Sequence, residues 1–363
     1  VAWVISLNTF PAVALPAYLV FGRSSFNGYV KARQEDDSGL AKVARSAIEA
    51  KKQFRPDDTE NYQEILAAEK LAKLPILSGN DTELLINGKA TFNSIFEGIE
   101  QARHYILVQF YIVQDDNLGR ELQRRLILKA REGVKVYFLY DEVGSYRLPA
   151  SYIEQMRKEG IEAVNFHSRK GPRNRFQINF RNHRKIVLVD GLTCWIGGHN
   201  VSDAYLGKSE KFSHWRDTHL KITGPATLAV QLCFLEDFHW ATDRVIKLDW
   251  NAGLKEKGNK DILVVPSGPA DTLETAGLMF SLAINSARKR IWIASPYFVP
   301  DNAIVAALEL AALRGVDIRI LIPDEPDHFI VYLAAFSYIQ KLDDFPNITF
   351  YRYNKGFMHQ KAI

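Results

Sequence analysis

The chain has 363 residues, of which 47% are hydrophobic and 24% charged, so it contains enough apolar material for two domains with sizeable cores. Its two cysteines exclude a disulfide framework, and no Cys and His cluster has the spacing of a zinc site. The formal net charge of +4 is too mild for a dedicated nucleic-acid-binding protein.

The first element in chain order is an uncharged stretch from Val1 to Gly22. As a helix it would reach about 33 Å, which is enough to cross the hydrocarbon core of a bilayer. Trp3 and Tyr18 lie near its two ends, as interface anchors often do, and Arg23 closes it. We predict a transmembrane helix over 1–22. A signal peptide is the alternative, but the stretch has no basic start and no clear cleavage site.

A polar connector is predicted over 23–74, where charged and small residues dominate. Arg23, Lys31 and Arg33 follow the apolar stretch closely. By the positive-inside rule they predict that the rest of the chain is cytoplasmic, although acidic residues come directly afterwards.

An internal repeat covers most of the remaining chain. The stretch that begins at Phe92 resembles the one that begins at Met279, and the matched pairs fall at nearly constant offsets: Ala102 with Ala287, Tyr111 with Tyr297, Gly133 with Gly315, and Asp141 with Asp324. Each copy predicts an amphipathic helix, an apolar strand, a second helix, and a Gly-Val turn into another strand. This alternation predicts an α/β fold with two pseudo-symmetric halves, 75–250 and 251–363.

Two short motifs stand at matching points of the repeat. His183, Lys185 and Asp190 have the spacing H-x-K-x-x-x-x-D, and His359 and Lys361 repeat its first part. One such triplet can arise by chance, but two in the same register point to a shared function. The apolar run after Lys185 predicts a strand in which His183 and Lys185 point to the same face. Two such pairs are expected to converge on one pocket between the halves.

A pocket with two imidazoles and two ammonium groups suits a phosphodiester. One imidazole can attack phosphorus, the other can protonate the departing alkoxide, and the lysines can neutralise the non-bridging oxygens. This chemistry requires no metal. The two histidines must start in opposite protonation states, so their surroundings must differ although their motifs match.

These motifs identify the chain as a member of the phospholipase D superfamily, and within it the chain resembles bacterial cardiolipin synthases. The superfamily pattern H-x-K-x-x-x-x-D-x-x-x-x-x-x-G-[GS]-x-N is matched in full by six residues: His183, Lys185, Asp190, Gly197, Gly198 and Asn200. In the second copy only His359 and Lys361 are present, and the matching Asp would fall at position 366. Because the chain also starts with Val, we expect it to be a fragment cut at both ends.

The resemblance implies two α/β sandwich domains, each with a mixed sheet flanked by helices, and a role for each motif residue. His183 is the expected nucleophile, and His359 is the expected general acid and later base. The expected ligands of the phosphoryl oxygens are Lys185, Lys361 and Asn200. No metal or other cofactor is implied.

Two carboxylates have expected supporting roles. Asp190 belongs to the catalytic motif, but the resemblance favours a structural role in pinning its strand and loop. Asp217 stands where related enzymes hold the first histidine through its other ring nitrogen, so we expect it to orient His183. His199, His214 and His219 lie near the motif, and the sequence leaves open whether they line the pocket, the core or the surface.

The implied activity is that of a membrane-bound cardiolipin synthase. Two phosphatidylglycerol molecules would give cardiolipin and glycerol through a phosphatidyl-histidine at His183. The expected partners are phosphatidylglycerol and the anionic lipids of a bacterial inner membrane, with the catalytic part on the cytoplasmic side. Nucleic acid is not expected as a partner.

Other activities fit the same motifs. A hydrolytic phospholipase D or a phosphatidylserine-forming relative would use the same histidines with another acceptor, and a non-catalytic lipid-binding protein could keep the fold. A superfamily nuclease is favoured by a basic loop with two aromatic residues, Phe176 and Phe180, and disfavoured by the apolar N-terminus. The basic residues of this loop and the strand after it are Arg169, Lys170, Arg173, Arg175, Arg181, Arg184 and Lys185. They could equally attract an anionic lipid surface.

Overall fold

The computed structural model describes residues 6, 9–15, 62–166, 181–208, 214–251, 258–268, 271–327 and 329–363. Most of the predicted transmembrane helix over 1–22, most of the connector over 23–74, and the basic loop from Arg169 to Phe180 lie outside these residues. In the part of the chain that is described, no helix is both long and apolar enough to cross a bilayer. The membrane helix, the connector and the role of the loop stay predictions.

An eight-stranded mixed sheet forms the first half. Its strands are β1 (Leu77–Ile86), β2 (Tyr105–Phe110), β3 (Lys135–Asp141), β4 (Glu162–Phe166), β5 (Ile186–Val189), β6 (Thr193–Gly197), β8 (Thr218–Thr223) and β9 (Lys260–Ile262). They lie in the order β4-β3-β2-β5-β6-β8-β1-β9. The pairs β2 with β3 and β3 with β4 are parallel, and the other pairs are antiparallel.

Helices cover both faces of this sheet, which is why β2 is buried along its whole length and reads as a continuous apolar run. The helices are α1 (Tyr62–Ala72), α2 (Asn87–Gln101), α3 (Asn117–Arg131), α4 (Ala150–Lys158) and α5 (Thr227–Thr242). Side chains of α2, α3 and α4 share one core cluster with one face of the sheet, and side chains of α5 share another with the opposite face.

The second half repeats the helix and strand order of α2-β2-α3-β3-α4-β4. It consists of α6 (Thr275–Ser286), β10 (Arg290–Ala294), α7 (Asn302–Leu313), β11 (Asp317–Pro323), α8 (Phe329–Leu342) and β12 (Ile348–Tyr353). The three strands form a parallel sheet in the order β10-β11-β12. The mixed α/β fold and the internal repeat predicted from the sequence are therefore confirmed.

The two copies also share local signals. Asp116 caps α3 by accepting a hydrogen bond from Gly119 N at 3.0 Å, and Asp301 caps α7 by accepting one from Ile304 N at 2.9 Å. Gly133 follows α3 with a φ of 92°, a left-handed conformation that glycine adopts without strain. The order of cap, helix and glycine turn is common to the two copies, and this is why the repeat can be recognised in the sequence.

The first sheet extends beyond the predicted boundary at 250. β9 pairs antiparallel with β1, with Leu77 opposite Ile262 and Asn80 opposite Lys260. Residues up to 262 therefore contribute to the sheet of the first half, and the sequence placed the boundary too early. A polar stretch between two apolar runs suggested a junction, but strand pairing decides which sheet a segment joins.

A short parallel ladder joins the halves. β7 (Trp215–Arg216) pairs with β13 (Phe357–Met358), with Phe357 opposite Trp215 and Met358 opposite Arg216. The chain leaves β13 directly into His359, whose backbone N donates to Arg216 O at 2.8 Å. This ladder fixes the second motif against the first half.

The predicted strand that carries the first motif starts later than expected. β5 begins at Ile186, which pairs with Gln109 of β2 and with Ile196 of β6. His183 and Lys185 lie in the irregular segment before it, so the prediction that both belong to one strand face is wrong. The β5 hydrogen-bond ladder does not extend to these residues, because Asn182 and Arg184 are held by side-chain hydrogen bonds to Asp237 instead.

Candidate active site

His183 lies against the ring of Tyr111, just before β5. The two ring centroids are 3.9 Å apart and the ring planes differ by 20°, so the rings are stacked. Tyr111 directly follows β2, which is how the sheet brings it to this point. Among the residues that the structure describes, no side chain or backbone group forms a hydrogen bond with a ring nitrogen of His183.

Lys185 lies beneath the same tyrosine and is 9% exposed. Its Nζ donates to the His183 carbonyl oxygen at 2.5 Å and lies 5.5 Å from the centroid of the Tyr111 ring. The first His-Lys pair is thus held on one aromatic ring.

The second pair has a matching tyrosine in a different arrangement. Lys361 Nζ lies 5.9 Å from the Tyr297 ring centroid, and the rings of Tyr297 and His359 meet edge to face at 6.5 Å. Lys361 Nζ also contacts His359 Nε2 at 2.9 Å and donates to the His359 carbonyl at 2.7 Å. Tyr111 and Tyr297 occupy equivalent positions of the repeat, so each half supplies one tyrosine to its own pair.

Asp217 bonds the histidine of the other half. His359 Nδ1 donates to Asp217 Oδ2 at 2.7 Å, so the expectation that Asp217 orients His183 is wrong. The cause is the ladder between β7 and β13, because Asp217 directly follows β7 and His359 directly follows β13. With Nδ1 donating to a carboxylate, the contacts assign Nε2 as the acceptor of the Lys361 ammonium.

The carboxylate of Asp217 is nearly inaccessible, with 1% of the residue exposed. Its Oδ1 accepts from Thr218 N at 2.8 Å. A Cβ built at Gly198 would lie 2.1 Å from Asp217 Oδ1, so a side chain there would displace the Asp217 carboxylate from its present position. This close approach gives a physical reason for the second glycine of the motif.

The protonation of this pair depends on two opposing effects. Burial raises the pKa of Asp217, but the hydrogen bond and the charge of His359 outweigh it and leave the pKa below its usual value. Burial also lowers the pKa of His359, and the hydrogen bond to Asp217 opposes that change without cancelling it. Asp217 is therefore a carboxylate at neutral pH and supports the charged form of His359.

The remaining basic groups are crowded and poorly hydrated. Burial, followed by the charge of Lys361, lowers the pKa of Lys185 to about 7, and burial lowers that of Lys361 to about 8. Burial and then the charges of Lys185 and Arg181 lower the pKa of His183 to about 4. Although His183 keeps part of its surface exposed to solvent, its lowered pKa leaves the ring neutral at pH 7. The charge of Lys361 acts on both His183 and Lys185, so the two motifs share one electrostatic site.

Asp190 and Asn200 serve the fold around the site. The Asp190 carboxylate accepts from the backbone N–H groups of Arg103, His104 and Tyr105, each at 2.8 Å, at the far end of β5 from Lys185. Asn200 accepts from Ile112 N at 3.0 Å and donates to Tyr205 Oη at 2.8 Å. Asp190 thus has the position of a structural residue, and a phosphate contact by Asn200 stays a prediction.

The three nearby histidines have different surroundings. His199 and His219 are buried, with their Nδ1 atoms 3.1 Å apart, so they belong to the core behind the site. The ring of His214 stacks loosely on that of Tyr353, with centroids 6.5 Å apart. None of the three contacts His183 in the described part of the chain.

Several residues of the site were not singled out from the sequence. Tyr111 and Tyr297 were used only to align the repeat, although their equivalent positions after β2 and β10 were a usable signal. Asn182, Asp141 and Asp237, which hold the segment around His183, are far apart in the sequence and form no motif.

Comparison with known proteins agrees with this geometry. The family model described as "Cardiolipin synthase, PLD-like domain" matches residues 95–225 and 281–363. Cardiolipin synthase A of Pseudomonas putida is 46% identical over 373 aligned residues, which cover 100% of this chain and 76% of that protein. The chain belongs to the cardiolipin synthase family. The predicted resemblance to the phospholipase D superfamily and to its cardiolipin synthases is confirmed.

Other relatives support the same assignment. Cardiolipin synthase A of Pseudomonas fluorescens (strain SBW25) is 44% identical over 367 residues, covering 100% of this chain and 76% of that protein. The crystal structure of phosphatidylserine synthase from Haemophilus influenzae Rd KW20 matches with a TM-score of 0.55 and 18% identity, covering 82% of this chain and 79% of the other. At that identity the structural match shows a common fold and leaves the acceptor open.

No group of three or more His, Cys, Asp or Glu side chains is placed to hold a metal ion in the described ranges of the chain. Asp217 is already bonded to His359. The donors that line the site are two imidazoles and two ammonium groups, a set that suits an anion.

The position of Asp190 predicts the effect of replacing it. In Asp190→Asn the three backbone donors lose their charged acceptor, so we expect the free energy of unfolding to fall by about 2–3 kcal/mol. Denaturant unfolding of the purified protein measures this loss. Turnover per folded molecule should stay unchanged, and a variant of unchanged stability with lost turnover would instead make Asp190 a catalytic residue.

The two lysines predict a pH dependence of anion binding. Both are charged below pH 7, and both lose their protons as the pH rises through about 7 and 8, so affinity for a monoanionic diester should fall over this range. Diethyl phosphate is a suitable probe because its own charge is constant there, and calorimetry at pH 6 and pH 9 gives the two affinities. Lys185→Met should bind more weakly at pH 6 and show a smaller change. Equal affinity at both pH values in the unmodified protein would contradict the lowered pKa values.

Proposed function

We propose that this protein is a membrane-bound phosphatidyltransferase that converts two phosphatidylglycerol molecules into cardiolipin and glycerol. The observation that carries the proposal is the contact between the halves, in which the β7–β13 ladder and the bond from His359 to Asp217 set the second His-Lys pair close enough for the charge of Lys361 to act on the first. The identity to Cardiolipin synthase A over the whole chain supports the choice of reaction.

In the first step, a neutral ring nitrogen of His183 attacks the phosphorus of one phosphatidylglycerol. The P–N bond forms as the P–O bond to the headgroup glycerol breaks, and His359 gives a proton to the departing oxygen. The low pKa of His183 keeps it nucleophilic, and the contact with Asp217 stabilises the protonated ring of His359. The negative charge of the bound diester raises the pKa of His359 from its lowered value, so Nε2 takes up the proton that it gives to the departing oxygen.

In the second step, a hydroxyl of another phosphatidylglycerol attacks the phosphatidyl-histidine. His359, now neutral, takes the proton of that hydroxyl, and the P–N bond breaks as the new P–O bond forms. One phosphodiester replaces another, so the reaction needs no nucleotide. Lys185 and Lys361 hold the non-bridging oxygens in both steps, and Asn200 is a further candidate for that contact.

We also propose that the enzyme resides in the inner membrane of a bacterium, with its catalytic part on the cytoplasmic side. The uncharged stretch from Val1 to Gly22 and the basic residues after it support this proposal. Phosphatidylglycerol and anionic membrane lipid are then its partners, and nucleic acid is not.

Product analysis tests the proposed reaction. Full-length protein in detergent is given headgroup-labelled phosphatidylglycerol with excess EDTA, and lipid and water-soluble products are followed by mass. We expect cardiolipin and free glycerol, both absent with His183→Ala. Phosphatidic acid as the only lipid product would make the protein a hydrolase, and release of neither product would favour a lipid-binding protein.

A change of leaving group separates the roles of the two histidines. Phosphatidyl p-nitrophenol releases a stable phenolate that needs little help from a general acid. With this substrate we expect His359→Ala and Asp217→Asn to retain most of the burst of p-nitrophenolate. With phosphatidylglycerol both variants should release glycerol more slowly, because both changes remove acid catalysis, which accelerates such a step by about 10²–10⁴-fold. His183→Ala should lose both. A burst in His183→Ala but not in His359→Ala would reverse the two roles.

A further inference from the structure

We infer that Asp237, on α5, is a positioning residue for His183, because it anchors the residues on both sides of that histidine. The inference deepens the proposed function and rests on it for the role of His183 as the nucleophile. Nothing in the motif pattern points to Asp237, which lies 54 positions after His183.

Asp237 is the centre of a buried polar cluster. Only 1% of the residue is exposed, and both of its carboxylate oxygens lie 2.7 Å from Arg184 Nη1. Oδ2 also accepts from Asn182 Nδ2 at 2.8 Å and from Gln109 Nε2 at 2.7 Å. Asn182 and Arg184 are the immediate neighbours of His183, so one carboxylate holds the chain on each side of it.

Further contacts of Asn182 complete this clamp. Its backbone N donates to Asp141 Oδ2 at 2.9 Å, and its side-chain oxygen accepts from Gln109 Nε2 at 2.9 Å and from Arg184 N at 3.0 Å. Gln109 belongs to β2 and Asp141 ends β3. The segment 182–184 is therefore tied to two strands and to α5 without being part of a ladder.

The clamp bears on His183 because this residue precedes the strand and is not part of its ladder. β5 begins only at Ile186, and the ring contact described for His183 is the stack on Tyr111. A stacked ring can slide parallel to its partner, whereas hydrogen bonds to charged groups fix direction and distance. The places at which Asn182 and Arg184 are held thus help to set the position of the attacking nitrogen.

The second half holds its histidine by other means. His359 is flanked by Met358 and Gln360, and it is fixed by the ladder between β7 and β13 and by the hydrogen bond to Asp217. Asp237 holds the backbone on both sides of His183 through Asn182 and Arg184.

Single-turnover kinetics test this role. Full-length Asp237→Asn, which keeps the shape of the side chain and loses its charge, is mixed in excess with headgroup-labelled phosphatidylglycerol in detergent micelles. We expect the rate constant of glycerol release to fall by about 10- to 100-fold, since a displacement near 1 Å can cost this much. The amplitude per folded molecule and the concentration of lipid at half-saturation should stay the same.

Gln231→Ala is the matched control. Gln231 lies on the same helix, is fully buried, accepts from Tyr105 Oη at 2.7 Å and donates to Asp249 O at 3.0 Å, yet none of these contacts reaches the segment 182–184. We expect Gln231→Ala to lower the melting temperature and the amplitude of glycerol release per mole of total protein, while the rate constant of release stays unchanged. Equal loss of rate constant in both variants, or loss of amplitude alone in Asp237→Asn, would overturn the inference and leave Asp237 a stability residue.

A double variant adds a direct test of the coupling. If Asp237 acts through Arg184, the double variant Asp237→Asn with Arg184→Met should release glycerol only slightly more slowly than the slower of the two single variants. Fully additive effects would overturn the proposed route. Glycerol release precedes the choice of acceptor, so a protein that hydrolyses the lipid would contradict the proposed function while leaving this test intact.

Discussion

The hydrogen bond from His359 Nδ1 to Asp217 Oδ2 is the contact on which the site depends, because it joins a histidine of one half to a carboxylate of the other. The ladder between β7 and β13 brings the two residues together, and Gly198 leaves room for the carboxylate. The charge of Lys361 then reaches His183 and Lys185, and this repulsion together with the loss of hydration favours an anion beside these groups.

Two nearly identical motifs acquire different chemistry from their surroundings. His183 stacks on Tyr111, and its lowered pKa keeps the ring neutral. His359 meets Tyr297 only edge to face and is bonded to a buried carboxylate. A reaction with a covalent intermediate needs one neutral nucleophile and one group that gives and takes a proton. The difference between the two surroundings fits the two proposed roles without a change of motif.

Much of this arrangement is legible in the sequence because it repeats. The matched helices, apolar strands and Gly-Val turns predicted the α/β halves, and the paired motifs predicted one site to which both halves contribute. The partner of Asp217 was not predictable, because the spacing from His183 suggested a contact within one half, whereas the parallel pairing of β7 with β13 places Asp217 beside His359. The polar residues that hold His183 were missed for a similar reason. Asp141, Asn182 and Asp237 meet only after the sheet and α5 have packed, and none has a regular spacing.

The central claim is that the two histidines have different roles, with the phosphatidyl group carried by His183. The most direct measurement is to quench the full-length protein with acyl-labelled phosphatidylglycerol during the first turnover, digest it under conditions that preserve phosphohistidine, and locate the added mass by peptide mapping. The account predicts the phosphatidyl group on the peptide that contains His183 and none on the peptide that contains His359. A phosphatidyl group on His359, or on neither histidine during active turnover, would contradict it.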